Sequence, residues 1–278
     1  MTAPEPAYEP RRFRSTVPFY ARYRLGYPQA LIRRVVERVG LVAGAAVMDL
    51  GCGPGLLAIP FAQEAMAVTA VDPEPEMIAA AGAAAAEAGV TLALLQASSF
   101  DLPAGIGPFG LVAMGRSFHW MKRSETLRIL DGLIAPGGAI ALFHDEHPRT
   151  VENSWREVLH EIADAYGRGE ASHIQAREST RHRSHESVLL ESAFARLERV
   201  GVVIHRELSA DDIVGLALSL STTSPEKLGE RRVAFEADLR AGLARLSPDG
   251  RFAEIAELSA LIALRGTFGQ RIPGQQGN

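Results

Sequence analysis

Val47-Met48-Asp49-Leu50-Gly51-Cys52-Gly53-Pro54-Gly55 is the stretch whose reading decides the fold. An apolar run enters three alternating glycines, and Leu56 to Ala65 reads as the helix that leaves them. Glycine has no Cβ, so such a turn reaches φ > 0 and lets a ligand lie against bare backbone. The amide groups and dipole of the following helix then face that ligand. Seventeen residues beyond Gly55, at the end of a second apolar run from Ala67 to Val71, stands Asp72. An acid at that point can accept both hydroxyl hydrogens of a ribose. The turn is G-x-G-x-G, with Leu56 where a dinucleotide fingerprint has its third glycine, and this disfavours NAD without forbidding it.

Outward from the turn the pattern alternates. Pro28 opens a helix whose apolar residues Leu31, Ile32, Val35, Val36 and Val39 recur at helical spacing. After Asp72 come an alanine-rich helix from Pro75 to Ala88 and a third strand from Val90 to Leu95. A fourth strand, Leu111 to Met114, a helix from Ser124 to Ile134, a Pro136-Gly137-Gly138 turn and a fifth strand, Ala139 to Phe143, complete the run. Short apolar strands alternating with helices predict a parallel sheet covered on both faces. Beyond residue 145 the rhythm breaks. Residues 150–166 read as a helix and 167–187 as a polar stretch with His173, Arg177, Arg181, His182, Arg183 and His185. A strand from Val200 to His205, helices near 210–220 and 226–246, and an edge strand from Ile255 to Leu264 are expected thereafter. The expected organisation is one domain: an amino-terminal arm (1–27), a core (28–145), a helical insertion (146–197) and a carboxy-terminal completion of the sheet (198–270).

The 278 residues suffice for such a domain with insertions. A formal net charge of −4 gives no general attraction to nucleic acid or anionic membrane. With Cys52 as the single cysteine no intrachain disulfide forms, and a reducing cytoplasmic compartment is expected. No stretch approaches the roughly 18–20 apolar residues of a membrane span.

Asp49-Leu50-Gly51-Cys52-Gly53-Pro54-Gly55 resembles motif I of the class I S-adenosylmethionine-dependent methyltransferases. Val71-Asp72-Pro73-Glu74-Pro75-Glu76-Met77 is similar to their second motif, and Ile134-Ala135-Pro136-Gly137-Gly138 to the turn before their fifth strand. The likeness covers about residues 17–145 closely and the remainder in layout. It implies a Rossmann-like, doubly wound, mostly parallel seven-stranded α/β sheet with an antiparallel last strand and a helical lid. It implies S-adenosylmethionine as cofactor and S-adenosylhomocysteine as product. By that resemblance the turn Gly51, Gly53 and Gly55 cradles the methionyl part, Asp49 helps hold its ammonium group, and Asp72 takes the ribose. Where the family has an Asp near the adenine, this chain has Ser98, Ser99 and Phe100, and its Phe109-Gly110 departs from the usual Phe-Asp. The Tyr20–Pro28 segment and Ser117-Phe118-His119-Trp120 further resemble a subgroup that includes trans-aconitate methyltransferase-like proteins. There the amino-terminal segment closes over the cofactor, so that Tyr20 or Arg24 would meet its carboxylate.

Methyl transfer displaces a carbon already activated by the sulfonium, so the protein chiefly aligns the nucleophile and excludes water. A general base is needed only for a protonated acceptor. Two places reach the rim of the sheet: His119-Trp120 after strand four and His144-Asp145-Glu146-His147 after strand five. His119 is the first candidate base or orienter, with Trp120 as a wall; His144 is the second, with His147 as an acceptor contact. A rim histidine in an ordinary hydrogen bond is the alternative for each. His144-x-x-His147 sits at a strand end and supplies too few ligands for a structural metal, so none is expected. The basic run 173–185 either grips an acidic substrate or is a solvated loop. Strand four ends in Met114-Gly115-Arg116-Ser117, without the (D/N/S)-P-P-(Y/F) signature of exocyclic-amine methylation. The catalytic half lacks the cysteine that C5 methylation of pyrimidines needs. The expected function is therefore methyl transfer to an O or N atom of a small molecule. A non-catalytic S-adenosylmethionine-binding protein and an NAD-type oxidoreductase are the alternatives.

Overall fold

A computed structural model describes residues 14–167 and 183–266 of the chain. The apolar runs form β1 (Ala46–Leu50), β2 (Ala67–Asp72), β3 (Ala93–Gln96), β4 (Phe109–Gly115), β5 (Ile134–Glu146), β6 (Arg196–Ser209) and β7 (Arg251–Leu264). They make one sheet in the order β3-β2-β1-β4-β5-β7-β6. The strands from β3 to β5 run parallel, and β7 is antiparallel to both of its neighbours. The winding direction reverses between β1 and β4, which opens a crevice past their carboxyl ends, the usual ligand position in such sheets.

Side chains alternate across β1 and so feed two cores. Val47 packs with Leu31, Ile32 and Val35 of α2 (Gln29–Val39) and with Phe61 of α3 (Ala58–Gln63). Met48 and Leu50 face the other way, toward Leu127 and Leu130 of α5 (Arg123–Asp131) and toward Val188 and Leu189. α4 (Pro75–Glu87) lies against β2 and β3. Full burial of a residue such as Ile32 or Phe61 stabilises the fold by about 1.5–3 kcal/mol.

The ladder of β6 and β7 is longer than its neighbours. Glu146, the last residue of β5, pairs with Glu257, while β6 and β7 stay paired out to Ser209 and Arg251. That overhang carries a third core beyond the rim. Trp155 and Leu159 of α6 (Trp155–Tyr166) pack there with the helices Ala210–Leu218 and Arg232–Leu246. Phe19 and Tyr23 of α1 (Val17–Tyr23) are set against it.

Several expectations need correction. β7 is an interior strand, because Leu258 and Ala260 through Ala263 are buried on both faces, and β6 forms the edge. Pro136-Gly137-Gly138 falls within β5 rather than before it: Ile134 already pairs with Phe109, and the register shifts before Ala139. Within the expected amino-terminal arm the described residues are helical: Arg14 to Thr16 form a 3-10 helix leading into α1. The helix expected over 226–246 is interrupted at Gly229. The two described ends of the 146–197 insertion go to different cores, Trp155 to the third and Val188 and Leu189 to the second. Most of the basic run 173–185 lies outside the described residues.

α1 is held in place by close contact. A Cβ on Gly215 would lie 2.3 Å from Tyr23 Cδ2 and 2.4 Å from two further ring atoms. Gly215→Ala should therefore push α1 off its seat, costing about 1–3 kcal/mol. Denaturant unfolding should show a lower midpoint, and trypsin should cut faster after Arg22 and Arg24. An unchanged midpoint with unchanged cleavage would mean that α1 is not seated on this helix.

Candidate active site

The glycine turn is left-handed at all three glycines, with φ of +74° at Gly51, +52° at Gly53 and +89° at Gly55. L-residues with a side chain rarely adopt this region. The turn is tied to β2 by Gly51 and Cys52, whose N–H groups donate to the Val71 carbonyl at 2.8 and 2.9 Å. A Cβ on Gly51 would lie 2.6 Å from Ser117 Cβ, so the segment after β4 leaves it no room. At Gly53 a Cβ would meet only Met77 Sδ at 3.9 Å and Tyr20 Cε1 at 4.0 Å, which leaves the backbone there accessible beneath Tyr20.

Asp72 is bound directly to this turn. Its Oδ2 accepts the Gly53 N–H at 2.9 Å and its Oδ1 the Glu74 N–H at 2.9 Å. Burial pushes the Asp72 carboxyl up to about 6, against the pull of those two bonds. Each carboxylate oxygen retains further lone-pair capacity for a sugar hydroxyl.

Asp49 lies below the turn and is 1% exposed. Its Oδ2 accepts the Ala58 N–H at 2.9 Å, at the start of α3, and its Oδ1 is buried with no partner among the described residues. Burial raises its carboxyl to about 8, opposed by the Ala58 bond. Natively buried polar atoms are nearly always paired, so this oxygen calls for an explanation. Asp49 lines a small cavity together with Tyr20, Tyr27, Gly51, Gly53 and Arg116. Cys52 lines the same cavity, and burial raises its thiol well above the ordinary range, which suits packing rather than nucleophilic attack.

Arg116 was not singled out by the sequence. It follows Gly115 at the end of β4 with φ of +55°, a strained backbone for an arginine. Its Nη1 donates to Asp145 Oδ1 at 3.0 Å and its Nη2 to the Leu25 carbonyl at 2.7 Å, while its Nε is buried without a partner among the described residues. The guanidinium lies 4.9 Å from the Tyr27 ring centre. A lone charge ending an otherwise apolar strand was the available sign.

The other expected residues are dispersed. Tyr20 stands over the glycine turn, whereas Arg24 lines a second cavity with Asp145 and His147. Ser98 is bonded to Asp101 through Oγ at 2.6 Å, Ser99 is buried beside Thr126, and Phe100 is exposed with Lys122 above its ring. His119 sits in the short 3-10 helix Phe118–Trp120, 4.7 Å from the Trp120 ring and 6.5 Å from that of His185. His144 is exposed, on the opposite side of β5 from Asp145. Neither His119 nor His144 lines the two cavities. Among the described residues no three His, Cys, Asp or Glu side chains converge to hold a metal ion. None of the helices described is long and apolar enough to cross a membrane.

This sheet order, with its antiparallel β7, is that of the Rossmann-like methyltransferase fold. Residues 47–138 match a family described as "Methyltransferase domain". Over that stretch, about a third of the chain, the sequence is similar to methyltransferase domains. It is 40% identical over 97 residues to a ubiquinone biosynthesis O-methyltransferase of Caulobacter sp. strain K31, covering 34% of this chain and 38% of that protein. It is 34% identical over 134 residues to a trans-aconitate 2-methyltransferase of Delftia acidovorans, covering 46% and 47%. The matches thus span less than half of each relative. A solved protein from Anaeromyxobacter dehalogenans, proposed to be a type II methyltransferase, superposes with a TM-score of 0.58 at 19% identity over 87% of this chain and 97% of its own, a likeness of fold.

The donor set fits the cofactor of that class. Among the described residues Asp49 has an unpaired buried oxygen suited to an ammonium group, Gly53 has open backbone, and Arg116 has an unpaired Nε suited to a carboxylate.

A titration follows from Asp49. The unfolded chain loses this proton near 3.8, while the folded chain keeps it to about 8. Stability therefore falls as pH rises through that window, since only the unfolded state has released the proton. In ligand-free protein Asp49→Asn should be more stable than the parent at pH 8, and the gap should close toward pH 4. Denaturant midpoints at both pH values check this; a gap independent of pH would contradict it.

Proposed function

We propose that this chain transfers the methyl group of S-adenosylmethionine to an O or N atom of a small-molecule acceptor. The observation that carries this reading is the unpaired, buried oxygen of Asp49 beneath a glycine turn that Asp72 braces from the next strand. When bound, the cofactor supplies a methyl carbon activated by a sulfonium charge. The chain has to hold the donor, orient the acceptor and keep water out.

In this reading Asp49 Oδ1 takes the ammonium group and Arg116 Nε the carboxylate of the methionyl part. Asp72 receives the ribose hydroxyls on its remaining lone pairs. Ser98, Ser99 and Phe100, past the end of β3, border the adenine end, with the exposed Phe100 ring as a flat apolar wall. Tyr20 and α1 cover the turn from above, and α6 with the helices Ala210–Leu218 and Arg232–Leu246 roofs the acceptor side. His119 accepts a proton from an acceptor that arrives protonated, and Trp120 bounds its approach. A non-catalytic binding protein is a second reading, favoured by one observation: neither His119 nor His144 lines either cavity.

Calorimetry with S-adenosylhomocysteine, followed by a labelled-methyl screen against a metabolite extract, tests this function. Saturable binding is expected, and Asp49→Ala should weaken it by roughly 10–100-fold, as loss of a hydrogen bond to a charged group implies. A labelled small-molecule product supports catalysis over mere binding. No heat with S-adenosylhomocysteine would remove both readings.

A further inference from the structure

Arg116 also lines a second cavity, of about 430 Å³ of empty space partly open to solvent. That is within the usual size range of small-molecule sites. Its wall carries four guanidinium groups, those of Arg24, Arg116, Arg156 and Arg206, against the two carboxylates of Asp145 and Glu254. Both carboxylates are already engaged. Asp145 accepts from Arg116, and the fully buried Glu254 is held by Arg156 Nη1 and His147 Nε2, each at 3.1 Å, and by Arg206 Nε. Burial alone would raise the Glu254 carboxyl, but the bonds from His147 and Arg206 outweigh it and keep it below the ordinary range.

Arg24 is left over. Among the described residues it makes no salt bridge: Asp145, already bonded to Arg116, attracts it only through space, and its direct contacts are the Ser219 carbonyl at 3.3 Å and the Tyr20 ring at 5.1 Å. Among the described residues its buried Nε has no partner, nor has that of Arg116. The wall therefore holds two more guanidinium cations than carboxylates. His160 does not add to the excess at neutral pH, because burial and then Arg156 lower its pKa. Buried cations without a counter-ion are costly, and a guanidinium fork matches a planar oxyanion through paired N–H donors.

We infer that this cavity is an oxyanion site and, resting on the methyl-transfer reading, that it receives a small acceptor bearing carboxylate or phosphate groups. Arg24 and Arg156 grip the anion. Arg116, which borders both cavities, sets the acceptor beside the glycine turn. The charged residues responsible come from α1's end, β4, β5, α6, β6 and β7, so the site exists only in the assembled fold.

The test is calorimetry at fixed ionic strength, with and without saturating S-adenosylhomocysteine, using tricarballylate, glycerol 3-phosphate and catechol as probes. Tricarballylate or glycerol 3-phosphate should bind, and the one that binds tells carboxylate from phosphate; catechol should not. Arg156→Met should weaken the anion at least tenfold and leave S-adenosylhomocysteine affinity within twofold, which also reports that the variant is folded. Arg24→Lys, which keeps charge but loses the fork, should weaken the anion by a smaller factor. The inference is overturned if neither anion binds the parent chain, or if both variants bind it as well as the parent does. It is also overturned if Arg24→Lys weakens only S-adenosylhomocysteine, for then Arg24 serves the cofactor's own carboxylate. Loss of S-adenosylhomocysteine binding in the parent, with anion binding intact, would remove the methyl-transfer reading and leave the oxyanion site standing.

Discussion

Asp49 sits near the end of β1 with one oxygen bonded to the first turn of α3 and the other without a partner among the described residues. Its position is fixed from both sides, opposite Ala70 on β2 and Ala113 on β4. The sheet therefore cannot relax to hydrate it. Burial of the charged carboxylate outweighs the one bond it accepts from Ala58, and the group answers by holding its proton. Much of the site is arranged around that condition. The left-handed glycines pass over it, Ser117 closes against Gly51, and Tyr20 comes down on Gly53. Each of these contacts lowers water access and sharpens the demand for a cationic partner.

The second layer of the account is also electrostatic but opposite in sign. Arg116 joins the two, since it lines both the cavity under the turn and the arginine-lined cavity. Its strained backbone and its bonds to Leu25 and Asp145 tie the amino-terminal segment to β5. A shift of α1 would thus be felt in both cavities. The third core, built on the overhang of β6 and β7, gives α1 and α6 a common base from which to cover the rim.

The glycine turn, Asp49 and Asp72 were legible in the sequence because they are local. Strand, turn, helix and acid follow one another within about 30 residues, and the physics that joins them acts over the same span. The arginine cavity was not legible. Arg24 and Glu254 are separated by most of the chain, and only the placing of β7 between β5 and β6 brings Glu254 to Arg156, Arg206 and His147. β7 itself was misread as an edge, since an apolar run does not disclose which strands will flank it. Its one informative feature was Glu254, a charge at a position the strand buries. His144 looked promising by its distance from the end of β5, but strand alternation turned Asp145 toward the cavity instead.

The most direct test of this account is proton counting on ligand binding. S-adenosylhomocysteine should be titrated into the parent chain and Asp49→Asn at pH 7, in two buffers that differ in ionisation enthalpy. If an ammonium group pairs with Asp49, the carboxyl that burial keeps protonated must ionise, and the parent should release up to about one more proton than the variant. Tight binding with the same proton release in both proteins would place the ammonium group elsewhere and contradict the central claim.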